Sequence, residues 1–219
     1  MADQLYLSLW FPNFRFDNLP ATTVSVLRQF ARISGLPRVA AAAAYPVNFT
    51  EPPVYQRVYV LDTRAEESAD TSASIIENAV PEAMELLHED TACEFEMKWQ
   101  LWAHEAAVAG LDATWKRVPA TVKFLAFGPG FDDATFEQNG HIRVDFGLDT
   151  PWIFDEADEM WADPDARASA AGYIKQNVEM LLAFTLSVEK HCGISSRLLW
   201  TESGEPLAEK LVARLQRLN

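Results

Sequence analysis

Residues 93–102 read CEFEMKWQLW, ten positions over which apolar and polar side chains alternate without a break. Cys93, Phe95, Met97, Trp99 and Leu101 fall on one side, and Glu94, Glu96, Lys98 and Gln100 on the other. Successive side chains leave an extended strand in opposite directions, so a period of two marks a strand with one buried face. A chain containing this stretch has to build a sheet and bring apolar cover to one side of it.

The same pattern recurs upstream. In LYLSLWF (5–11) Leu5, Leu7, Leu9 and Phe11 alternate with Tyr6, Ser8 and Trp10, and in VYQRVYVL (54–61) Val54, Val58 and Val60 alternate with Tyr55, Arg57 and Tyr59. RVAAAAAY (38–45) lies between Pro37 and Pro46 and is short for a helix despite its alanines; it reads as a buried strand whose small side chains let a helix pack close. Helical spacing links Val26, Leu27, Phe30 and Ile33, opened by Pro20 and stopped by Gly35 and Pro37. A second helical run, Ile76, Val80, Ala83 and Leu87, lies between Asp70 and His88, with Pro81 expected to kink or split it. The order β-α-β-β-α-β over residues 1–103 is the ferredoxin-like arrangement. It predicts strands one and three at the centre of an antiparallel sheet, with both helices on one face.

Beyond residue 103, TVKFLAF (121–127) reads as a strand, and Asn139-Gly140 between two extended runs signals a β-hairpin. An acidic, Pro-containing loop (155–168) precedes helices at 167–192 and 205–218, the last with Pro206 in its first turn. There is no repeat and no low-complexity tract, and the helix after the acidic loop is too apolar to stand alone. The expectation is one continuous α+β domain over 1–219: the βαββαβ unit (1–103), a strand and hairpin extension (104–150), then the acidic loop and two C-terminal helices (151–219).

Charge narrows the function classes. With 32 acidic against 18 basic residues, the formal charge is −14, which repels phosphate backbones and anionic membranes and draws in basic proteins or cationic ligands. No stretch approaches the ~20 apolar residues of a spanning helix, and the N-terminus lacks the basic region of a signal peptide; a soluble, cytoplasmic protein is expected. Two cysteines and four histidines show no zinc-ligand spacing, so no metal or other cofactor is expected. Cys93 and Cys192 suit a reducing compartment, with a single disulfide between them left open.

Local motifs reduce to structure. In VEKHCGISSRLLW (188–200) His191 and Cys192 are neighbours on a helix end, pointing ~100° apart at the negative pole of the dipole. That environment raises a thiol pKa, and Gly193 fits the closing position of the helix. HEAAV (104–108) has Val108 where a zinc-protease helix needs its second histidine. DFG (145–147) lacks the other kinase elements, and GPG (128–130) reads as a turn. His141, Arg143 and Asp145 read as the wet side of the hairpin. No residue is assigned a catalytic role.

The second face of the expected sheet carries the sharper expectation. Tyr6 and Trp10 on the first strand would stand beside Tyr55, Arg57 and Tyr59 on the third, with Glu94 and Glu96 at their flank. Aromatics so placed resemble a base-stacking platform, but the basic aromatic signature is missing and the glutamates oppose phosphate, which excludes RNA. Either the C-terminal half covers this face as a second core layer, or the face is a cleft or partner surface. Function divides accordingly. A non-enzymatic acidic protein would bind a basic partner through Asp155, Glu156, Asp158, Glu159 and exposed aromatics. A small-molecule binding protein, or an enzyme, would use the aromatic face with Glu94 or Glu96.

Overall fold

A computed structural model describes residues 2–45, 54–56, 69–85, 88, 90–105, 114–131, 133–153 and 164–203. Its frame is a long hairpin: β4 (Ala92–Glu105) and β5 (Thr114–Phe127) pair antiparallel along their whole lengths of 14 residues each. The free side of β4 takes β2 (Val39–Tyr45), and β3 (Val54–Gln56) lies beyond it. The free side of β5 takes β6 (Ile142–Leu148), followed by β1 (Gln4–Trp10) and then β7 (Ser196–Thr201). The result is a seven-stranded sheet in the order β3-β2-β4-β5-β6-β1-β7, with every ladder antiparallel.

Alternation in the strands selects the covered face. Leu5, Leu7 and Leu9 of β1, Phe95, Met97 and Trp99 of β4, Val122 and Phe124 of β5, and Ile142 and Val144 of β6 are all essentially inaccessible to solvent. The helices α1 (Leu19–Ser34), α2 (Ala69–Met84) and α4 (Pro164–His191) pack over them. Phe30 of α1 meets Trp99 and Phe124 with ring centres 5.2 Å apart, and Phe184 of α4 at 5.5 Å. Side chains of this size contribute about 1.5–3 kcal/mol each on full burial, so the aromatic centre dominates the core. Helix α1 ends where the sequence expects, at Gly35: its φ of +69° is the left-handed conformation, and its N–H closes on the Ala31 carbonyl at 3.0 Å.

Strand β4 outruns β2, whose ladder stops at Met97. Asn177 of α4 takes over beyond it. Its Oδ1 accepts the Trp102 N–H at 2.9 Å, and its Nδ2 donates to the carbonyls of Trp102 (2.8 Å) and Pro151 (2.9 Å). One buried amide thus replaces a strand partner and ties α4 to the sheet.

The element order of the first 105 residues is the expected β-α-β-β-α-β, and the α+β class with an antiparallel sheet holds, but the strands do not pair in the ferredoxin-like manner. β3 is an edge strand and β1 lies on the other side of the sheet, with four strands between them. The physical reason is competition. The β4–β5 hairpin closes locally at small entropic cost and buries a full ladder, and β6 and β7 then offer β1 a long ladder on each side.

Two local expectations also change. Asn139-Gly140 does not form the hairpin turn: Asp133–Asn139 is a short helix, α3, and the chain reverses between β5 and β6 through it. Gly140 follows that helix at φ +69°, where a Cβ would lie 2.6 Å from the Leu9 carbonyl oxygen, so the close approach of β1 requires glycine. Residues 196–201, beyond the helix end closed by Gly193 and assigned no element from the sequence, form edge strand β7. The helix expected at 205–218 lies outside the described residues. Cys93 and Cys192 are both free thiols, which closes the disulfide question. Among the described residues no helix is long and apolar enough to cross a membrane.

Candidate functional site

Among the described residues of the C-terminal half, α4 packs with α1 and β4 on the first face rather than over the second. Among the described residues, α3 is the helix on the second face, held over β1 and β6. The Trp10 indole Nε1 donates to the Phe136 carbonyl (2.8 Å), and the Ser8 hydroxyl to the Gln138 carbonyl (2.7 Å). These bonds satisfy the last carbonyls of the helix.

Of the residues singled out in the sequence, Tyr6 and Trp10 sit on this open face through β1. Their expected neighbours do not join them. Tyr55 is on β3 at the far edge of the sheet, while Arg57, Tyr59, Asp155, Glu156, Asp158 and Glu159 lie outside the described residues. Glu94 and Glu96 are on the open face of β4 as expected, but β5 and β6 separate them from Tyr6. Both turn instead to Lys123 of β5, at 3.0 Å and 3.5 Å. Burial opposes the charge on this lysine, but the two carboxylates outweigh it and raise its pKa above the ordinary value. One lysine thus offsets part of the charge of the two glutamates and leaves the group net negative.

Tyr6 has acquired a different neighbourhood. Its ring lies 4.6 Å from that of Trp200 on β7, whose indole Nε1 donates to the Ser8 hydroxyl at 2.8 Å. On its other side the Arg143 guanidinium stands 5.1 Å from the Tyr6 ring centre, a cation–π contact. Asp145 receives Gln4 Nε2 at 2.6 Å and the Gly147 N–H at 2.8 Å. Burial raises the Tyr6 phenol pKa above its usual value, helped by the fields of Asp145, Glu202 and Asp3 and opposed by Arg143. Asp3 accepts from the Ser203 hydroxyl, which holds its carboxyl below the usual range. Asp3 just before β1, Asp145 on β6 and Glu202 just after β7 thus flank an aromatic pair at one end of the sheet.

A cavity of about 290 Å³ opens between α3 and strands β4 to β6, lined by Ala92, Glu94, Leu125, Phe127, Phe131, Thr135, Asn139 and Arg143. A second depression of about 350 Å³ runs between Phe11–Phe14, the start of α1 and Cys192. Its thiol is raised above the usual range by burial and accepts from Ser25 at 3.4 Å, which gives it no nucleophilic activation. Burial pushes the Cys93 thiol up to about 12. His141 does not join Arg143 and Asp145 on a wet face. It stacks on Phe14 at 4.0 Å, and its Nδ1 accepts the Phe11 N–H at 3.0 Å. Among the described residues no three metal-ligating side chains gather.

Sequence reasoning missed Trp200 and the cavity role of Arg143. Arg197-Leu198-Leu199-Trp200 has no polar–apolar contrast from which to read a strand, and the cavity depends on α3, where an Asn-Gly turn was expected. Comparison with known proteins adds no identity: no family model, no curated protein and no solved structure matches the chain.

Proposed function

We propose that the protein is a non-enzymatic interaction module that binds a basic protein partner at the end of its open sheet face where Tyr6 and Trp200 meet Asp3, Asp145 and Glu202. The observation that carries this reading is the pairing of a half-buried aromatic couple with one carboxylate on β6 and two at the ends of β1 and β7, on a face that no helix covers at that end among the described residues. Tyrosine and tryptophan are the side chains that anchor protein interfaces, and surrounding carboxylates steer and orient a cationic partner. The overall charge of −14 acts in the same sense at longer range. The acidic stretch 155–163, which leaves the described residues just beyond Trp152 and Ile153, adds five carboxylates to the same stretch of chain.

The test is capture from the protein's own cells at low salt, with the full chain and a Tyr6→Ala/Glu202→Gln variant side by side. A basic polypeptide retained by the native chain, released by salt and lost from the variant supports the reading. A partner held equally by both, or indifferent to salt between about 50 and 500 mM, overturns it.

A further inference from the structure

We infer that Arg143 anchors a binding site for a small carboxylate with an apolar or aromatic body, in the cavity between α3 and strands β4 to β6. This goes beyond the basic-partner reading, since the ligand is an anion and the site faces α3 rather than β7.

The guanidinium is fixed before any ligand arrives. It lies 5.1 Å from the Tyr6 ring centre and 6.0 Å from that of Phe127, and one Nη donates to Asn139 Oδ1 at 2.7 Å. Two aromatic rings and an amide thus hold the guanidinium at the cavity wall, where its remaining N–H groups suit a carboxylate. Its Nε is buried and has no hydrogen-bond partner among the described residues. A buried donor left unpaired is costly unless something accepts from it. No described carboxylate lies within 4.0 Å of Arg143 to supply that acceptor: Asp145 is held by Gln4 and Gly147, and Glu94 and Glu96 face Lys123. A chain with a charge of −14 thus presents to a cavity a cation with no ion-pair partner among the described residues.

The walls define the rest of the ligand. Leu125, Phe127 and Phe131 make the cavity largely apolar, and Phe127 and Phe131 meet at 5.2 Å to form an aromatic corner. A volume of about 290 Å³ is at the small end of ligand sites, suited to roughly ten to fifteen non-hydrogen atoms. A phosphate dianion fits poorly. There is a single guanidinium, Glu94 stands on the rim, and α3 presents its C-terminal, electronegative end at Asn139.

The experiment is an NMR titration of the full chain with phenylacetate, phenylacetamide and inorganic phosphate, following the Arg143 Nε–H and the Phe127 and Phe131 rings. Phenylacetate should shift all three, and the neutral amide should bind about tenfold more weakly, the loss expected for one charge-assisted pair. Phosphate should leave the rings unmoved. Arg143→Met keeps the stem beneath the aromatic rings and should abolish the ring shifts. If that variant does not fold, Glu94→Gln gives an independent test, since removing the rim charge should tighten phenylacetate severalfold. No shift of the Arg143 Nε–H at about 20 mM phenylacetate, or equal binding of acid and amide, overturns the inference. So does phosphate competing as well as phenylacetate.

Discussion

On the helix-covered face of the sheet, Phe30, Trp99, Phe124, Phe146 and Phe184 meet with ring centres 5.2–6.2 Å apart and no charge among them. One pleat away, on the open face of the same strands, Glu94, Glu96 and Lys123 form an ion-pair group, and Arg143 is held by aromatic rings and an amide. The backbone ladders are shared, so the contrast lies in the side chains. Non-directional burial stabilises the covered face, and losing volume there is costly. The open face rests on directional pairs, which are individually weak but fix where charges stand. Stability thus rests on one side of the sheet, and the recognition proposed for this protein on the other.

The largest expected effect would break that contrast if it failed. Trp99→Ala should cost about 3–5 kcal/mol in urea unfolding, whereas Leu198→Ser on β7, at a side chain 47% exposed, should stay within about 0.5 kcal/mol. Equal losses would mean the open face is also core. Trp99→Phe should recover most of the alanine loss, because the buried indole N–H has no partner to lose among the described residues. Next in size is Gly140→Ala, where a Cβ would meet the Leu9 backbone from a left-handed conformation. About 2 kcal/mol or more is expected from strain and displacement together, and an unchanged urea midpoint would show that β1 and α3 can move apart.

The open-face pairs are tested more finely by a double-mutant cycle. Lys123→Met leaves the nearly buried Glu94 without its partner and should cost about 1–2 kcal/mol. Adding Glu94→Gln should return about half, and strict additivity would show that the pair is not coupled. The smallest effect is one of pH. Burial holds the His141 imidazole below its ordinary 6.5, and its Nδ1 must stay unprotonated to accept the Phe11 N–H. Below 6.5 the unfolded chain takes up the proton more readily than the folded one. This contribution is therefore complete above that value and is lost as pH falls through the lower folded value. His141→Gln, which keeps an acceptor but cannot titrate, should narrow the difference in urea midpoint between pH 7 and pH 5. A difference as wide as in the native chain would sink the assignment.

Much of the fold was legible because periodicity is local. Cys93 to Leu101 alternate and face the core as read, α1 stops at Gly35, and Leu5, Leu7 and Leu9 are fully buried. The candidate site was legible only in part. That Tyr6, Trp10, Glu94 and Glu96 face away from the core follows from the same alternation. Their neighbours do not, since alternation says nothing about which strand lies alongside.

The sequence alone determined most of the helical and extended runs, though not α3 or β7, together with the apolar side of β1 and β4 and the strongly acidic field, because each is set by composition or by spacing along the chain. Tertiary structure decided that β1 pairs with β6 and β7 rather than with β3, that Trp200 meets Tyr6, and that α3 leaves Arg143 facing a cavity. Strand order depends on which long ladders win in competition, over partners as distant in sequence as Leu5 and Thr201, and no local pattern encodes that outcome.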